Sequence, residues 1–211
     1  MNPQQFLFPH GVLSPILTPL TSNYRVDVDL LVNHAHKVLN DGCVGIVPFG
    51  TTGEALSVGR DERIASLEAL VKSGIDPSKL LVGTGQTNLD DTLILTRHAV
   101  EMNSAGVLVL PPFYYKNPSD AGLFRFFSEV IQRVGDSNLQ IYLYHFPQMS
   151  ATPITYNLIE MLLKEYPDTV CGMKDSSGDL ENMAGAAERF PGFHVLAGAE
   201  TVFLDLLKRG G

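Results

Sequence analysis

The 211-residue sequence lacks tryptophan, holds two cysteines and has few charged residues, which make up 18% of the chain. Its 15 lysines and arginines stand against 23 aspartates and glutamates. The resulting net charge of −8 argues against a nucleic-acid groove or an anionic membrane surface. No apolar run approaches the roughly 18 residues that a membrane helix requires. Cys43 and Cys171 lie inside apolar runs, so we interpret them as buried thiols in a reducing compartment.

The N-terminus, Met1–Gln5, has neither the basic segment nor the apolar stretch of a signal peptide. Apolar residues make up 45% of the chain, which is typical of a folded protein rather than of a disordered one. We find no internal linker, charge block or low-complexity segment. The sequence therefore predicts a cytoplasmic protein with a single domain over residues 1–211.

Seven short apolar runs recur along the chain, and the intervals between them have room for one helix and two loops. The runs are continuous and rich in valine, isoleucine and leucine, which is typical of parallel strands covered on both faces. The predicted strands are Val12–Leu17, Cys43–Pro48, Leu80–Val82, Gly106–Leu110, Gln140–Tyr144, Thr169–Met173 and His194–Ala197. Two of the intervals, Asp29–Asn40 and Asp61–Val71, carry apolar residues at helical spacing.

Repeated β-α units fit either a doubly wound sheet or a (β/α)8 TIM barrel. Polar and glycine-rich sequence follows nearly every predicted strand, which favours the barrel because its C-terminal loops converge on one site. A complete barrel usually takes about 250 residues, whereas this sequence stops after the seventh unit. We therefore expect an α/β fold, a TIM barrel truncated after the seventh β-α unit, and interpret the sequence as a fragment of a longer protein.

The first segment with chemical character is Gly50-Thr51-Thr52-Gly53-Glu54, directly after the second predicted strand. Its glycines let the backbone turn tightly and expose N–H groups, and the two threonine hydroxyls add donors. Such a cluster can bind a carboxylate or a phosphate. An ordinary turn that caps a helix has the same composition, so the segment alone leaves both interpretations open.

A second segment places Lys174 at the end of the sixth apolar run. Strand alternation puts Lys174 on the same face as Gly172, a small residue that we expect to leave space beside the amine. Desolvation in an apolar pocket lowers the proton affinity of an amine, which frees it to attack a carbonyl. A solvated lysine at an exposed strand tip is the alternative.

Two tyrosines follow apolar runs at the same predicted end of the barrel. Tyr144 closes the fifth run, where a phenol could relay protons to a bound substrate. Tyr114 belongs to the Pro111-Pro112-Phe113-Tyr114 segment after the fourth run. Aromatic residues in strands more often belong to the core, which is the alternative for Tyr144.

Two other segments resemble known binding motifs but do not meet their requirements. Gly83-Thr84-Gly85 begins like a dinucleotide-binding motif, but it lacks the third glycine and follows the third strand rather than the first. His34 and His36 stand two residues apart on a predicted helix, where their side chains do not face one metal ion. The sequence therefore predicts no metal site.

The order and spacing of these motifs resemble the dihydrodipicolinate synthase/N-acetylneuraminate lyase family of class I aldolases. The motifs are Gly-Thr-Thr-Gly-Glu after strand two, Pro-Pro-Phe-Tyr after strand four, Leu-Tyr-x-x-Pro at strand five and Gly-x-Lys at strand six. The resemblance extends from about Gly11 to Gly211. It implies a (β/α)8 barrel followed by C-terminal helices, and this sequence would stop where the eighth strand begins.

The resemblance also implies a mechanism. Lys174 would attack the ketone of pyruvate or another 2-oxo acid, and the resulting imine would act as an electron sink. Gly50, Thr51 and Thr52 would hold the carboxylate. Tyr144 would shuttle protons, and Thr51 would link it towards Tyr114, which in some family members comes from the neighbouring subunit. No metal or organic cofactor is implied, because the lysine itself supplies the electron sink.

One position departs from the family's pattern. Dihydrodipicolinate synthases typically carry an arginine two residues after the proline of the strand-five motif, where it binds the carboxylate of the aldehyde. This sequence has Met149 there, and a methionine cannot pair with a carboxylate. We therefore expect an aldolase for a 2-keto-3-deoxy sugar acid or a similar hydroxy-2-oxo acid.

Alternative functions remain open on the sequence alone. One is an authentic 4-hydroxy-tetrahydrodipicolinate synthase, and another is a catalytically silent member that binds 2-oxo acids. N-acetylneuraminate lyase is disfavoured, because that branch tends to have Ser-Thr in place of Thr51-Thr52. The expected partners are a small-molecule 2-oxo acid and an aldehyde, with further copies of the chain in a homo-oligomer, either a dimer or a tetramer.

Overall fold

A computed structural model describes residues 11–211, so Met1–Gln5, interpreted above as lacking a signal peptide, lies outside the described residues. Strands and helices alternate along these residues. The strands are β1 (Leu13–Pro15), β2 (Gly45–Val47), β3 (Leu81–Gly83), β4 (Gly106–Val109), β5 (Ile141–His145), β6 (Val170–Asp175) and β7 (His194–Ala197). The helices are α1 (Val28–Asn40), α2 (Arg60–Lys72), α3 (Leu89–Glu101), α4 (Asp120–Val134), α5 (Pro147–Ser150), α6 (Tyr156–Glu165), α7 (Leu180–Arg189) and α8 (Glu200–Leu207).

All seven predicted strands occur, and β7 has the predicted bounds. Strand β6 extends two residues beyond the predicted end at Met173, so Lys174 lies inside a strand rather than after it. The sequence did not predict α5, a single helical turn that begins at Pro147. Proline suits the first position of a helix because its missing N–H has no intrahelical partner there.

Polar side chains fix where several helices begin. Asp27 accepts a hydrogen bond from the Leu30 N–H at 3.0 Å, and Thr155 accepts one from the Leu158 N–H at 3.0 Å. Asp179 accepts from two backbone N–H groups at the start of α7. Each such cap stabilises its helix by about 1 kcal/mol.

The chain divides into two compact units. The N-terminal unit comprises the described residues up to Thr84 together with Asp90–Val107. In this unit β1 pairs in parallel with β2, with Leu13 opposite Gly45. A parallel bridge joins Ile46 of β2 to Leu80, directly before β3. Its core is formed by fully buried side chains, among them Leu31, Ile46, Leu67, Leu70, Leu80 and Leu81.

The C-terminal unit comprises Gly85–Leu89 and Leu108–Gly211. Strand β5 pairs in parallel with β6, and β6 with β7, so the neighbours follow sequence order. Nearly every residue of β5 and β6 is buried, as expected for strands covered on both faces. Helix α6 buries the side chains of Leu158, Ile159 and Leu162.

Strand order decides between the two architectures left open by the sequence. A doubly wound sheet reverses its strand order at a switch point, whereas within each unit the paired strands follow one another in sequence order. The succession of parallel strands and helices is that of a TIM barrel, with seven strands among residues 11–211. The interpretation of residues 1–211 as a single domain stays a prediction.

The two cysteines differ in burial. Cys171 in β6 is buried as predicted, whereas Cys43 is half-buried because it precedes β2 instead of belonging to it. Burial raises the pKa of the Cys171 thiol to about 12. Within residues 11–211, no helix combines the length and apolar character needed to cross a membrane.

Candidate active site

Lys174 and Tyr144 lie side by side on neighbouring strands. Tyr144 of β5 is the register partner of Lys174 of β6. The Lys174 Nζ atom lies 4.9 Å from the centroid of the Tyr144 ring. The tyrosine is 5% exposed and the lysine half-buried. An amine and a phenol thus meet near the C-terminal ends of two parallel strands, where barrel enzymes place their catalytic groups.

The environment of Gly172 differs from the prediction. The sequence predicted that this small residue would leave space beside Lys174. Instead, a Cβ atom built on Gly172 would lie 2.8 Å from Cε1 of Tyr142 and would overlap the carbonyl oxygen of His194. The Tyr142 ring and the β7 backbone therefore fill the space, and the glycine permits close strand packing below the amine.

Asp175 fixes the end of β6 directly after the lysine. Its side chain is fully buried and accepts hydrogen bonds from the Ser177 N–H at 2.8 Å and from Asn182 Nδ2 at 2.7 Å. The Asp175 carbonyl accepts from the Gly198 N–H at 2.7 Å. The sequence analysis did not single out Asp175, whose only signal in the sequence is an acidic residue adjoining an apolar run.

His145, at the end of β5, is also buried, and it faces Asp175 in the register of β5 and β6. Its Nδ1 atom accepts a hydrogen bond from the Ile154 N–H at 3.0 Å, which requires an unprotonated Nδ1. Burial lowers the pKa of His145, and the Asp175 carboxylate opposes that effect. The residue therefore serves as a neutral acceptor for the loop that leads into α6.

Helix α5 carries Met149, the residue that departs from the family's pattern. Met149 is 60% exposed. The amide of its neighbour Gln148 donates to the Ser177 carbonyl at 2.7 Å, and the Ser150 hydroxyl donates to the Phe146 carbonyl at 3.0 Å. The first bond ties α5 to the loop after Lys174, and the second closes the helical turn itself.

Tyr114 lies after β4 in the same unit, but the structure does not join it to the Lys174–Tyr144 pair by a hydrogen bond among the described residues. Its side chain is 70% exposed, and its ring packs edge-on against that of Tyr115 at 5.1 Å.

The Gly50–Glu54 turn belongs to the N-terminal unit. Gly50 and Gly53 are buried, while Thr51 and Thr52 are exposed. The turn is closed by hydrogen bonds from the Glu54 N–H to the Thr51 carbonyl at 3.0 Å and from the Thr18 hydroxyl to the Gly53 carbonyl at 2.7 Å. The turn is therefore fixed by these hydrogen bonds, and its two threonine residues are exposed.

Comparison with known proteins identifies the class. The model of the dihydrodipicolinate synthetase family matches residues 8–211, and the chain belongs to this family. An uncharacterised DapA-like lyase from Chloroflexus aurantiacus is 33% identical over 203 residues, which cover 96% of this chain and 67% of the relative. The family is one of lyases, as the motifs predicted.

Solved structures agree with the fold. Dihydrodipicolinate synthase from Agrobacterium tumefaciens superposes with a TM-score of 0.92 at 31% identity, covering 96% of this chain and 71% of that one. The prophage protein YagE from E. coli K12, solved in complex with pyruvate, has a TM-score of 0.87 at 27% identity and covers 95% and 67%. The predicted α/β TIM-barrel fold is confirmed, with seven strands among residues 11–211. The chain spans 58% to 68% of the length of the curated relatives that it matches.

Proposed function

We propose that the protein is a class I lyase that forms a Schiff base through Lys174 and makes or breaks a carbon–carbon bond between pyruvate and an aldehyde. The observation that carries this proposal is the position of the Lys174 Nζ atom, 4.9 Å from the ring of the buried Tyr144. A nucleophile beside a group able to transfer protons is the arrangement that imine chemistry needs.

In the cleavage direction, the Nζ lone pair attacks the ketone carbon of a 4-hydroxy-2-oxo acid, and loss of water leaves a protonated imine. The electrons of the C3–C4 bond then move into the imine and form an enamine. The C4 hydroxyl loses its proton and becomes the carbonyl of the released aldehyde. Protonation of C3 and addition of water release pyruvate and regenerate the amine of Lys174. The imine itself is the electron sink, so the proposed reaction needs no metal or organic cofactor.

The other predicted residues take supporting roles in this proposal. The Tyr144 phenol carries protons to and from the reacting atoms. The N–H groups of the turn at Gly50 and the hydroxyls of Thr51 and Thr52 bind the substrate carboxylate. Tyr114 extends the proton relay, supplied by a second copy of the chain in a cytoplasmic dimer or tetramer. Its 70% exposure supports that assignment.

The substrate that we propose is a 2-keto-3-deoxy sugar acid or a similar hydroxy-2-oxo acid. Met149 supports this choice, because a neutral thioether cannot pair with a second carboxylate on the aldehyde. The alternative is 4-hydroxy-tetrahydrodipicolinate synthase activity. It is supported by the similarity to the enzyme of that name from Rhizobium meliloti, which is 30% identical over 174 residues. The two differ in whether the aldehyde carries a carboxylate.

The test is reduction with borohydride in the presence of pyruvate, followed by peptide mass mapping. We expect a reduced pyruvoyl adduct on Lys174, no adduct in Lys174→Arg, and an undiminished adduct in the matched variant Lys164→Arg on the exposed end of α6. A folded protein that gives no adduct would overturn the proposal and favour a silent 2-oxo-acid-binding protein.

The substrate class is tested by comparing pyruvate release from 2-keto-3-deoxygluconate with condensation of pyruvate and aspartate β-semialdehyde. We expect the first reaction to be the faster. In Met149→Arg, the added cation should improve the second reaction and leave imine formation with pyruvate unchanged. A faster second reaction in the unaltered protein would instead assign the synthase activity.

A further inference from the structure

Arg63 is the largest side chain that the N-terminal unit buries completely. It belongs to α2 and is 1% exposed. Arginine is almost never fully buried unless its charge is paired, because desolvation of a cation is costly. A guanidinium in this position therefore calls for a compensating role, which its contacts supply.

The contacts of Arg63 lead to two backbone segments. Its Nη2 atom donates to the carbonyl oxygen of Gly83, at the end of β3. Its guanidinium carbon lies 5.4 Å from the centroid of the Phe49 ring, in cation–π distance. Its Nε and Nη1 atoms have no hydrogen-bond acceptor within residues 11–211. The side chain thus contacts two segments while two of its three guanidinium nitrogens have no acceptor among the described residues.

Those two segments meet at the start of the anion-binding turn. Phe49 has a φ of 58°, a left-handed conformation that costs a non-glycine residue free energy. A Cβ atom built on Gly83 would overlap the Phe49 carbonyl and lie 3.2 Å from the Gly50 N atom. The Gly83 N–H also donates to the Pro48 carbonyl at 3.0 Å. Arg63 therefore touches both sides of the contact that fixes Phe49 and Gly50.

The charge of Arg63 is only partly balanced. The Asp91 carboxylate acts on it, but Oδ1 of Asp91 accepts a hydrogen bond from Nη1 of Arg60 at 2.8 Å. Burial lowers the pKa of the Arg63 guanidinium to about 10, so the group keeps its charge at neutral pH. A positive charge in a poorly solvated position attracts an anion at the neighbouring turn more strongly than an exposed charge does.

We propose that Arg63 is a positioning residue, which holds Phe49 in its left-handed conformation at the start of the Gly50–Glu54 turn and favours a carboxylate at Gly50, Thr51 and Thr52. It does so through the Gly83 carbonyl and the Phe49 ring, without touching the substrate. This inference rests on the proposed function for the identity of the anion, a 2-oxo acid. The conformational part is independent of that function.

The first experiment is hydrogen exchange of the substrate-free protein, read on peptides that cover Phe49–Ser57. In Arg63→Gln, which keeps a donor but loses the charge and the fork, we expect exchange in this segment to be about tenfold faster, the effect of one lost charge-assisted bond. Arg63→Lys should change it by less than about threefold. Unchanged exchange, or an equal increase across α3, would overturn the positioning role.

The second experiment compares trapping of pyruvate with trapping of its uncharged methyl ester. In Arg63→Gln we expect the half-saturating pyruvate concentration to rise about tenfold and that of the ester to stay unchanged. Lys72→Gln, an equal charge change at an exposed site on α2, should alter neither. An equal rise in the half-saturating concentrations of pyruvate and of the ester would overturn the inference. A wild-type protein that traps neither would overturn the proposed function, and the exchange result alone would then decide the role of Arg63.

Discussion

The Lys174 Nζ atom lies over the face of the Tyr144 ring, 4.9 Å from its centroid. The contact follows from the parallel register of β5 and β6, which pairs the two residues directly. In the protonated state, the ring face attracts the ammonium group. The same closeness places the phenol within a short movement of any group bonded to Nζ.

The hydroxyl of Tyr144 can be tested apart from its ring. Tyr144→Phe retains the buried ring against Nζ and removes the proton-transfer group, so we expect imine formation to slow by about 10²- to 10⁴-fold. The measurement is the rate of borohydride trapping at saturating pyruvate. Tyr142→Phe is the matched control, because its hydroxyl lies 3.4 Å from Nδ1 of His194 instead of at the lysine. Slow trapping in Tyr142→Phe together with unchanged trapping in Tyr144→Phe would contradict the proton-transfer role of Tyr144.

Asp175 should contribute to stability through its buried hydrogen bonds. Asp175→Ala leaves the Ser177 N–H and Asn182 Nδ2 without their acceptor, and we expect a loss of about 1–3 kcal/mol for each unsatisfied buried donor. Urea unfolding measures this loss. A double-mutant cycle that combines Asp175→Ala with Asn182→Ala should show a coupling of about 0.5–3 kcal/mol in the free energy of unfolding. Additive effects would show that the two side chains act independently.

His145 makes stability depend on pH. Its pKa is lowered in the folded protein, because burial disfavours the charged imidazolium. As pH falls below about 6.5, the ordinary value for histidine, the unfolded chain binds the proton first and stability decreases. The decrease ends once the pH passes the lowered pKa of the folded state.

The pH dependence is measured as the free energy of unfolding between pH 8 and acid conditions. His145→Gln should flatten its slope below about pH 6.5. Burial also lowers the pKa of His194, so His194→Gln should remove a separate part of the slope. A slope unaffected by either change would show that other groups determine the acid sensitivity.

Gly172 should not tolerate a methyl group. Gly172→Ala would force its Cβ against Tyr142 and the β7 backbone, and overpacking of this kind costs about 1–3 kcal/mol. The matched control is Gly122→Ala on α4, where a Cβ would meet its nearest neighbour, the Ser119 hydroxyl, at an ordinary 3.5 Å. Thermal unfolding of both variants gives the comparison, and equal stability would contradict the packing described for Gly172.

The features predicted from the sequence are those fixed by local pattern. Strands buried on both faces appear as continuous apolar runs, so all seven could be located, with errors of one or two residues at most ends. The helix caps are equally local: Ser119 and Asp179 cap α4 and α7, because an N-cap needs only a short polar side chain before the first turn. Lys174 and Tyr144 could be singled out because each closes an apolar run.

Other features depend on register between segments distant in the sequence. The space beside Gly172 is filled because Tyr142 is its strand partner, and no local pattern specifies that pairing. The burial of Asp175 depends on Asn182 in α7, and that of Arg63 on Gly83 in β3. Helix α5 was missed because a single turn is too short to show helical periodicity.

The hydrogen bond from Gln148 to the Ser177 carbonyl has a consequence for how such enzymes diverge. The bond comes from the residue next to Met149, so a substitution of the exposed Met149 side chain leaves it in place. The Lys174–Tyr144 pair belongs to β5 and β6 and is likewise separate from that side chain. On the proposed function, the preference for one aldehyde over another can therefore change at position 149 without altering the residues that form the imine.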